Sequence, residues 1–186
     1  MEERLIYKLL QSKQTVFSIA EIALIGDFKE TKNLKSQLNY YAKNNLLQNI
    51  RKGFYAKPNY SIEEFACKLY TPSYLSLDYV LQKEGIVFQY NNEITTVSYL
   101  SRNITLDGFN LKYRKTKQSV LLDTFGIIRK DNGINIATAE RAVLDSLYLN
   151  KSGHFDNTKN LDLDMMKKML VIYQSKTMYK LFNERF

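Results

Sequence analysis

Between Thr15 and Ala56 the chain spells two short helices and a hairpin in immediate succession, an order that leaves few folds open. Ser18 followed by Glu21 has the spacing of a capping box, in which each side chain satisfies a backbone N–H that the first helical turn leaves orphaned. The helix it opens carries Ile19, Ile22 and Ala23 on one face and is expected to stop near Gly26, which tolerates a left-handed turn. A second helix starts around Thr31, with Leu34, Leu38 and Tyr41 at helical spacing for a core-facing side. Its other side presents Lys32, Asn33, Lys35, Ser36, Asn39 and Lys43, a polar and basic stripe. Leu46 to Ile50 and Phe54 to Ala56 then read as two short strands joined by the basic turn Arg51-Lys52-Gly53. The pattern predicts a winged helix-turn-helix over residues 1–57. Its second helix would face a DNA major groove, and Arg51 and Lys52 of the wing would meet phosphates.

Charge points the same way. Seven basic residues against one acidic residue between Lys29 and Lys57 give +6 of the chain's net +8, in under a sixth of its length. Polyanion binding needs such clustering, because each phosphate contact releases condensed counterion separately. A lone lysine-rich helix would read as a solvated face. The capped helix before this one and the wing after it favour the DNA reading.

Composition bounds the remainder. With 45% hydrophobic and 13% aromatic residues in 186, the chain can bury one medium core or two small ones. No apolar run approaches the roughly 18 residues of a membrane span, and no signal-peptide h-region follows Met1-Glu2-Glu3-Arg4. The single cysteine, Cys67, excludes an internal disulfide, suits a reducing cytoplasm and is expected to be a buried small hydrophobe.

A first helix, about Glu3 to Gln11, directs Leu5, Ile6, Leu9 and Leu10 at the winged-helix core. Lys57-Pro58-Asn59 breaks the pattern, and a second domain is expected over 61–186. Ser61-Ile62-Glu63-Glu64 repeats the capping-box spacing, and Tyr74 to Leu81 reads as a helix capped by Ser76 and ended by Gly85. The period then becomes alternating: a β-branched strand at Ile94 to Tyr99, a hairpin around Asp107-Gly108 and another around Asn132-Gly133. Thr138 caps a helix from Ala139 to Leu149, and helices over Leu161 to Tyr173 and Lys176 to Phe182 close the chain. The fold class expected is α+β, the second domain holding a small, mostly antiparallel sheet flanked by helices.

No constellation for catalysis is visible. His154 is the only histidine, and a zinc site needs more Cys and His than the two residues present. There is no Gly-x-Ser-x-Gly elbow and no glycine-rich phosphate loop. Asp162-Leu163-Asp164 has Asp-x-Asp form but lies at a helix start, where carboxylates favour the positive dipole end. Asp27 with Glu30-Thr31-Lys32 belongs to the turn between the first two helices of the helix-turn-helix. Tyr41, Tyr79, Tyr148 and Tyr173 have core-like spacing rather than that of a base-stacking row. No enzyme, metal or cofactor is expected.

Three segments resemble the AbiEi family of antitoxins from type IV toxin–antitoxin systems, over roughly residues 15–150. Ile50-Arg51-Lys52-Gly53-Phe54-Tyr55-Ala56 is similar to the family's basic-Gly-aromatic wing. The stretch from Tyr74 to Ile86 resembles its Tyr-(Leu/Ile)-Ser helix, with Tyr79 and Glu84 departing from the usual residues. Ala137-Thr138-Ala139-Glu140-Arg141-Ala142-Val143-Leu144-Asp145 resembles its Ala-Thr-Pro-Glu-Lys helix start, with Ala139 in place of proline. The resemblance implies a cytoplasmic repressor that binds double-stranded DNA at inverted repeats in its own operator. It also implies a C-terminal domain that counters a nucleotidyltransferase-like toxin without a stable complex, with Glu140, Arg141 and Asp145 as a candidate antitoxin surface. By spacing alone, Arg141 and Asp145 are expected to form an exposed i,i+4 ion pair. The rival reading is a non-enzymatic protein-interaction module, or a stand-alone winged-helix regulator without a toxin.

Overall fold

A computed structural model describes residues 2–28, 31–151 and 153–186; Met1, Lys29 and Glu30, all used in the reading above, lie outside the described residues, as does Ser152. The chain is mixed α+β and divides into two compact units, 1–65 with 131–133, and 66–130 with 134–186. Among the described residues no helix is long and apolar enough to cross a membrane.

Unit 1 runs α1 (Glu2–Gln11), β1 (Val16–Ser18), α2 (Ile19–Gly26), α3 (Thr31–Lys43), β2 (Gln48–Arg51) and β3 (Phe54–Ala56). Its three strands form an antiparallel sheet in the order β1-β3-β2. Leu5, Leu9, Phe17, Ile22, Leu34, Leu38, Tyr41, Leu47 and Tyr55 make one buried core. The Ser18–Glu21 capping box is complete: Ser18 Oγ accepts from Glu21 N–H, and the Glu21 carboxylate accepts from Ser18 N–H at 2.7 Å. Two details differ from the sequence reading. Leu10 is 47% exposed, off the core face that Leu5 and Leu9 occupy. The left-handed residue ending α2 is Asp27 (φ 54°), not Gly26. Gly26 is needed for space, since a Cβ there would collide with the Phe28 ring. Strand β1 has no sequence signal of its own; it forms because β3 offers it an edge.

The division between units falls inside α4 (Ile62–Leu69). Ser61 caps α4 by accepting from Glu64 N–H at 3.3 Å, but the Glu64 carboxylate does not reach back to complete a box. Fully buried, it accepts from Thr15 N–H and Oγ–H, both at 2.8 Å, and from Val16 N–H at 3.1 Å. Thr15 Oγ1 in turn accepts from Ser61 N–H. The start of β1 is thereby pinned to the first turn of α4.

Unit 2 carries a six-stranded sheet in the order β6-β7-β5-β4-β9-β8. The strands are β4 (Ser73–Leu75), β5 (Glu93–Ser98), β6 (Arg102–Leu106), β7 (Phe109–Lys115), β8 (Ile127–Arg129) and β9 (Asn135–Ala137). Three pairings are antiparallel, while β5–β7 and β4–β9 are parallel. The Asp107-Gly108 hairpin has both residues at positive φ, as a tight β-turn requires. The helices are α5 (Asp78–Lys83), α6 (Gln118–Leu122), α7 (Ala139–Asn150), α8 (Leu163–Tyr173) and α9 (Lys176–Arg185), and α7 packs against α5, α8 and α9. The expected helix from Tyr74 is shorter than read: Ser73–Leu75 pairs in the sheet, and α5 starts after Leu77 with no side-chain cap. Ser76 is buried and hydrogen-bonds elsewhere, so it cannot serve as that cap.

The Glu64 arrangement yields a prediction. Glu64→Ala strands three donors, the Val16 N–H in a buried position and the two of Thr15 part-buried, at roughly 1–3 kcal/mol for each group left unsatisfied before relaxation. Urea denaturation should show a loss of at least about 2 kcal/mol; a change under 0.5 would mean water replaces the carboxylate freely.

Candidate nucleic-acid interface

In α3 the apolar and polar positions separate cleanly. Leu34, Leu38 and Tyr41 are buried in the unit 1 core, while Lys32, Asn33, Lys35, Ser36, Asn39 and Lys43 are exposed. At 3.6 residues per turn, Lys32, Lys35, Ser36, Asn39 and Lys43 fall within about 100° of arc, and Asn33 lies about 60° beyond its edge. Ser36 Oγ donates to Lys32 C=O at 3.4 Å, a bond internal to the helix.

The β2–β3 turn is held by more than its own strands. Gly53, at φ +89°, lets the chain reverse, and its carbonyl accepts from Ile19 N–H at 3.0 Å, tying the turn to the start of α2. The register shifts between Asn49 and Arg51, so β2 bulges just before the turn. Arg51 is half-buried and Lys52 exposed. No ion pair among the described residues engages Lys32, Lys35, Lys43, Arg51 or Lys52.

Lys57, counted in the basic stretch, is used differently. Its ammonium donates to the carbonyls of Leu10 and Ser12 at 2.9 and 2.6 Å, satisfying groups left open where α1 ends. Burial lowers its pKa, with Glu64 opposing that shift.

In unit 2 the residues read as an exposed pair are interior. Arg141 is 0% and Asp145 1% exposed, which corrects the expectation of a surface ion pair and removes both from any surface. The guanidinium uses all three nitrogens. Nε–H donates to Asp145 Oδ1 at 3.2 Å, one terminal nitrogen to Phe125 C=O at 2.8 Å, and the other to Val120 C=O at 2.8 Å and Tyr74 OH at 3.1 Å. Asp145 also accepts from Ser76 Oγ–H at 2.8 Å and Tyr173 OH at 2.7 Å. The guanidinium lies 5.4 and 5.6 Å from the ring centroids of Tyr74 and Tyr173. Burial by itself would push Arg141 toward neutrality. Asp145, with the two phenols, outweighs burial and holds its pKa above the ordinary value. Burial first and Asp145 second push both Tyr74 and Tyr173 well above the ordinary tyrosine value. The sequence signal that could have revealed this burial was the apolar run Ala142, Val143, Leu144 and Leu147 around the pair.

Glu140 is half-buried in the first turn of α7, where Thr138 caps the helix by accepting from Arg141 N–H at 3.3 Å. It borders a cavity of about 500 Å³ together with Lys83, Lys130, Ile136 and Asn157. Asp162 caps α8, accepting from Met165 N–H at 2.9 Å. Cys67 is buried, and His154 is largely exposed with Asp156 at 3.2 Å. Among the described residues no three or more His, Cys, Asp or Glu side chains gather into a group able to hold a metal ion.

No protein-family model matches the chain, and no curated protein matches it in sequence.

Two outcomes follow from the buried network. Arg141→Met removes the buried cationic partner of Asp145, which should cost about 3–5 kcal/mol of stability in urea titration, whereas Arg141→Met with Asp145→Leu should recover much of that loss. A single-variant cost below about 1 kcal/mol would contradict the assigned bonding. The second outcome concerns alkaline pH. An unfolded chain releases its phenolic protons near pH 10, while the folded chain keeps those of Tyr74 and Tyr173. The folded state then binds more protons, so the stability present below pH 10 falls as pH rises above it. Tyr173→Phe should flatten that fall, and an identical slope would show that Tyr173 is not its source.

Proposed function

We propose that unit 1 is a winged helix-turn-helix that binds double-stranded DNA, with α2 and α3 as the helix-turn-helix and the β2–β3 turn as the wing. The observation that carries this reading is the α3 stripe. Five exposed residues able to contact phosphates or base edges lie opposite a buried apolar seam, with exposed Asn33 to one side of them and the basic β2–β3 turn in the same unit. A solvated helix would satisfy the charge pattern alone; the Gly53–Ile19 tie between turn and α2 favours a built surface. Lys32, Lys35 and Lys43 would contact backbone, Asn33, Ser36 and Asn39 base edges, and Arg51 and Lys52 flanking phosphates.

On the family resemblance, the chain is further proposed to be a cytoplasmic repressor of its own operon and an AbiEi-like antitoxin that acts by binding, without catalysis or a cofactor. Of the three residues considered for an antitoxin surface, Glu140 alone is accessible to a partner, so that role would rest on it and its neighbours.

Asn39 gives the direct test. Asparagine pairs bidentately with adenine N6 and N7, and such a pair is worth about 1–3 kcal/mol of discrimination. Asn39→Ala should reduce affinity for the protein's own upstream DNA by about tenfold while leaving a scrambled duplex nearly unaffected. Equal losses on both duplexes would remove Asn39 from base reading.

A further inference from the structure

The cavity of about 500 Å³ that Glu140 borders lies wholly within unit 2, between the β8–β9 hairpin, the start of α7 and the loop that leads to α8. Its walls are fixed by bonds on both sides. On the hairpin side, Ile128 and Ile136 stand directly opposite in antiparallel register, so their side chains share one face with Cβ atoms about 4.5–5.5 Å apart. Lys130 N–H donates to Ile134 C=O and Thr138 N–H to Gly126 C=O, each at 2.8 Å, which closes the hairpin at both ends. On the other side the loop after α7 is anchored twice. Asp156 N–H and Asn157 N–H both donate to Ile86 C=O, at 2.8 and 3.2 Å, and Asp162 N–H donates to Glu140 Oε1 at 3.4 Å. The space between those anchors is preformed, and its size falls within the range of about 300–1,000 Å³ typical of small-molecule sites.

The lining is divided by chemistry. Ile86 and Ile136 are buried, Leu161 is half-buried, and Ile128 is 54% exposed, so an apolar wall runs from the interior to the mouth. Around it stand charges of both signs: Lys83 and Lys130 against Glu84 and Glu140. No ion pair among the described residues engages Glu84, Lys130 or Glu140. Lys83 already lies over the Tyr79 ring, 4.9 Å from its centroid, whereas Lys130 is exposed. A crevice left over from packing would require neither the apolar wall nor opposite charges held apart beside it. Two positive and two negative groups give the rim no net charge, so its complement is a molecule that carries both signs.

We propose that this cavity binds a free α-amino acid with an apolar side chain, its carboxylate meeting Lys130, its ammonium meeting Glu140, and its side chain lying against Ile86, Ile128, Ile136 and Leu161. Other ligand classes fit less well. Glu84 and Glu140 oppose a phosphate ester, and Lys83 and Lys130 oppose a polyamine. An uncharged apolar molecule would cover charges of both signs and offer them no partner. The site lies outside unit 1, and nothing in it depends on the DNA reading of that unit.

Titration calorimetry on the full chain, with L-leucine and L-phenylalanine as probes, provides the test. At least one should bind at a single site per chain, with a dissociation constant of about 1 mM or tighter. For the probe that binds, the amine lacking its carboxylate and the acid lacking its ammonium should each bind at least about tenfold more weakly, the loss expected for one charged hydrogen bond. Lys130→Gln should weaken the amino acid by a similar factor and leave the amine analogue nearly unchanged. Glu140→Gln, which can still accept from Asp162 N–H, should weaken the amino acid and leave the acid analogue nearly unchanged. Should Glu140→Gln melt earlier than the parent, the exposed Lys130→Gln change still decides. No saturable heat from either probe up to about 10 mM overturns the assignment. So does binding that Lys130→Gln leaves intact, or tighter binding of adenosine monophosphate than of either amino acid.

Discussion

The interior of unit 2 depends on one buried cation. A guanidinium sealed from water needs acceptors for its donors, and Arg141 takes them from the end of α6, the following loop, β4 and its own helix. Asp145 neutralises the charge and draws in Ser76 and Tyr173, so α8 and the segment after β4 join the same network. Val120 offers its carbonyl because α6 is only five residues long and its end leaves it unpaired within the helix, while Phe125 offers its own from the loop beyond. Gly126 follows from the same crowding, as a Cβ there would come within 2.9 Å of Arg141 Cβ and 2.7 Å of the Met169 methyl.

Unit 1 uses a buried carboxylate in a comparable way. Glu64 collects the N–H groups of Thr15 and Val16 just where β1 begins, and Lys57 satisfies the carbonyls where α1 ends. The surface of α3 is thus carried on a unit whose strand and helix ends are tied by charged side chains. Those charges are engaged by backbone groups of the unit, while no ion pair among the described residues engages the lysines of α3 or Arg51 and Lys52 of the β2–β3 turn.

Which parts were legible in the sequence has a physical pattern. α3 and α7 were read from their apolar period, and the two hairpins from Asp107-Gly108 and Asn132-Gly133, because these signals are local. β1, α6 and the strand Ser73–Leu75 were not read. At three to five residues they are too short to show a period, and they form on partners distant in sequence. The stripe on α3 was legible because helical geometry alone opposes it to Leu34 and Leu38. The burial of Arg141 and Asp145 was not, since i,i+4 spacing is the same for an exposed pair and an interior one. Nor does any local pattern tell that the Lys57 ammonium folds back onto α1.

The central claim is that this chain reads duplex DNA through α3, and binding of the full chain to the DNA upstream of its own gene tests it most directly. Fluorescence anisotropy at several salt concentrations, with a scrambled duplex of equal length beside it, separates backbone attraction from base reading. The account predicts affinity for the upstream duplex at least about 10³-fold tighter than for the scrambled one, with both affinities falling as salt rises. Equal affinity for the two duplexes, or no binding to either at about 50 mM salt, would contradict it.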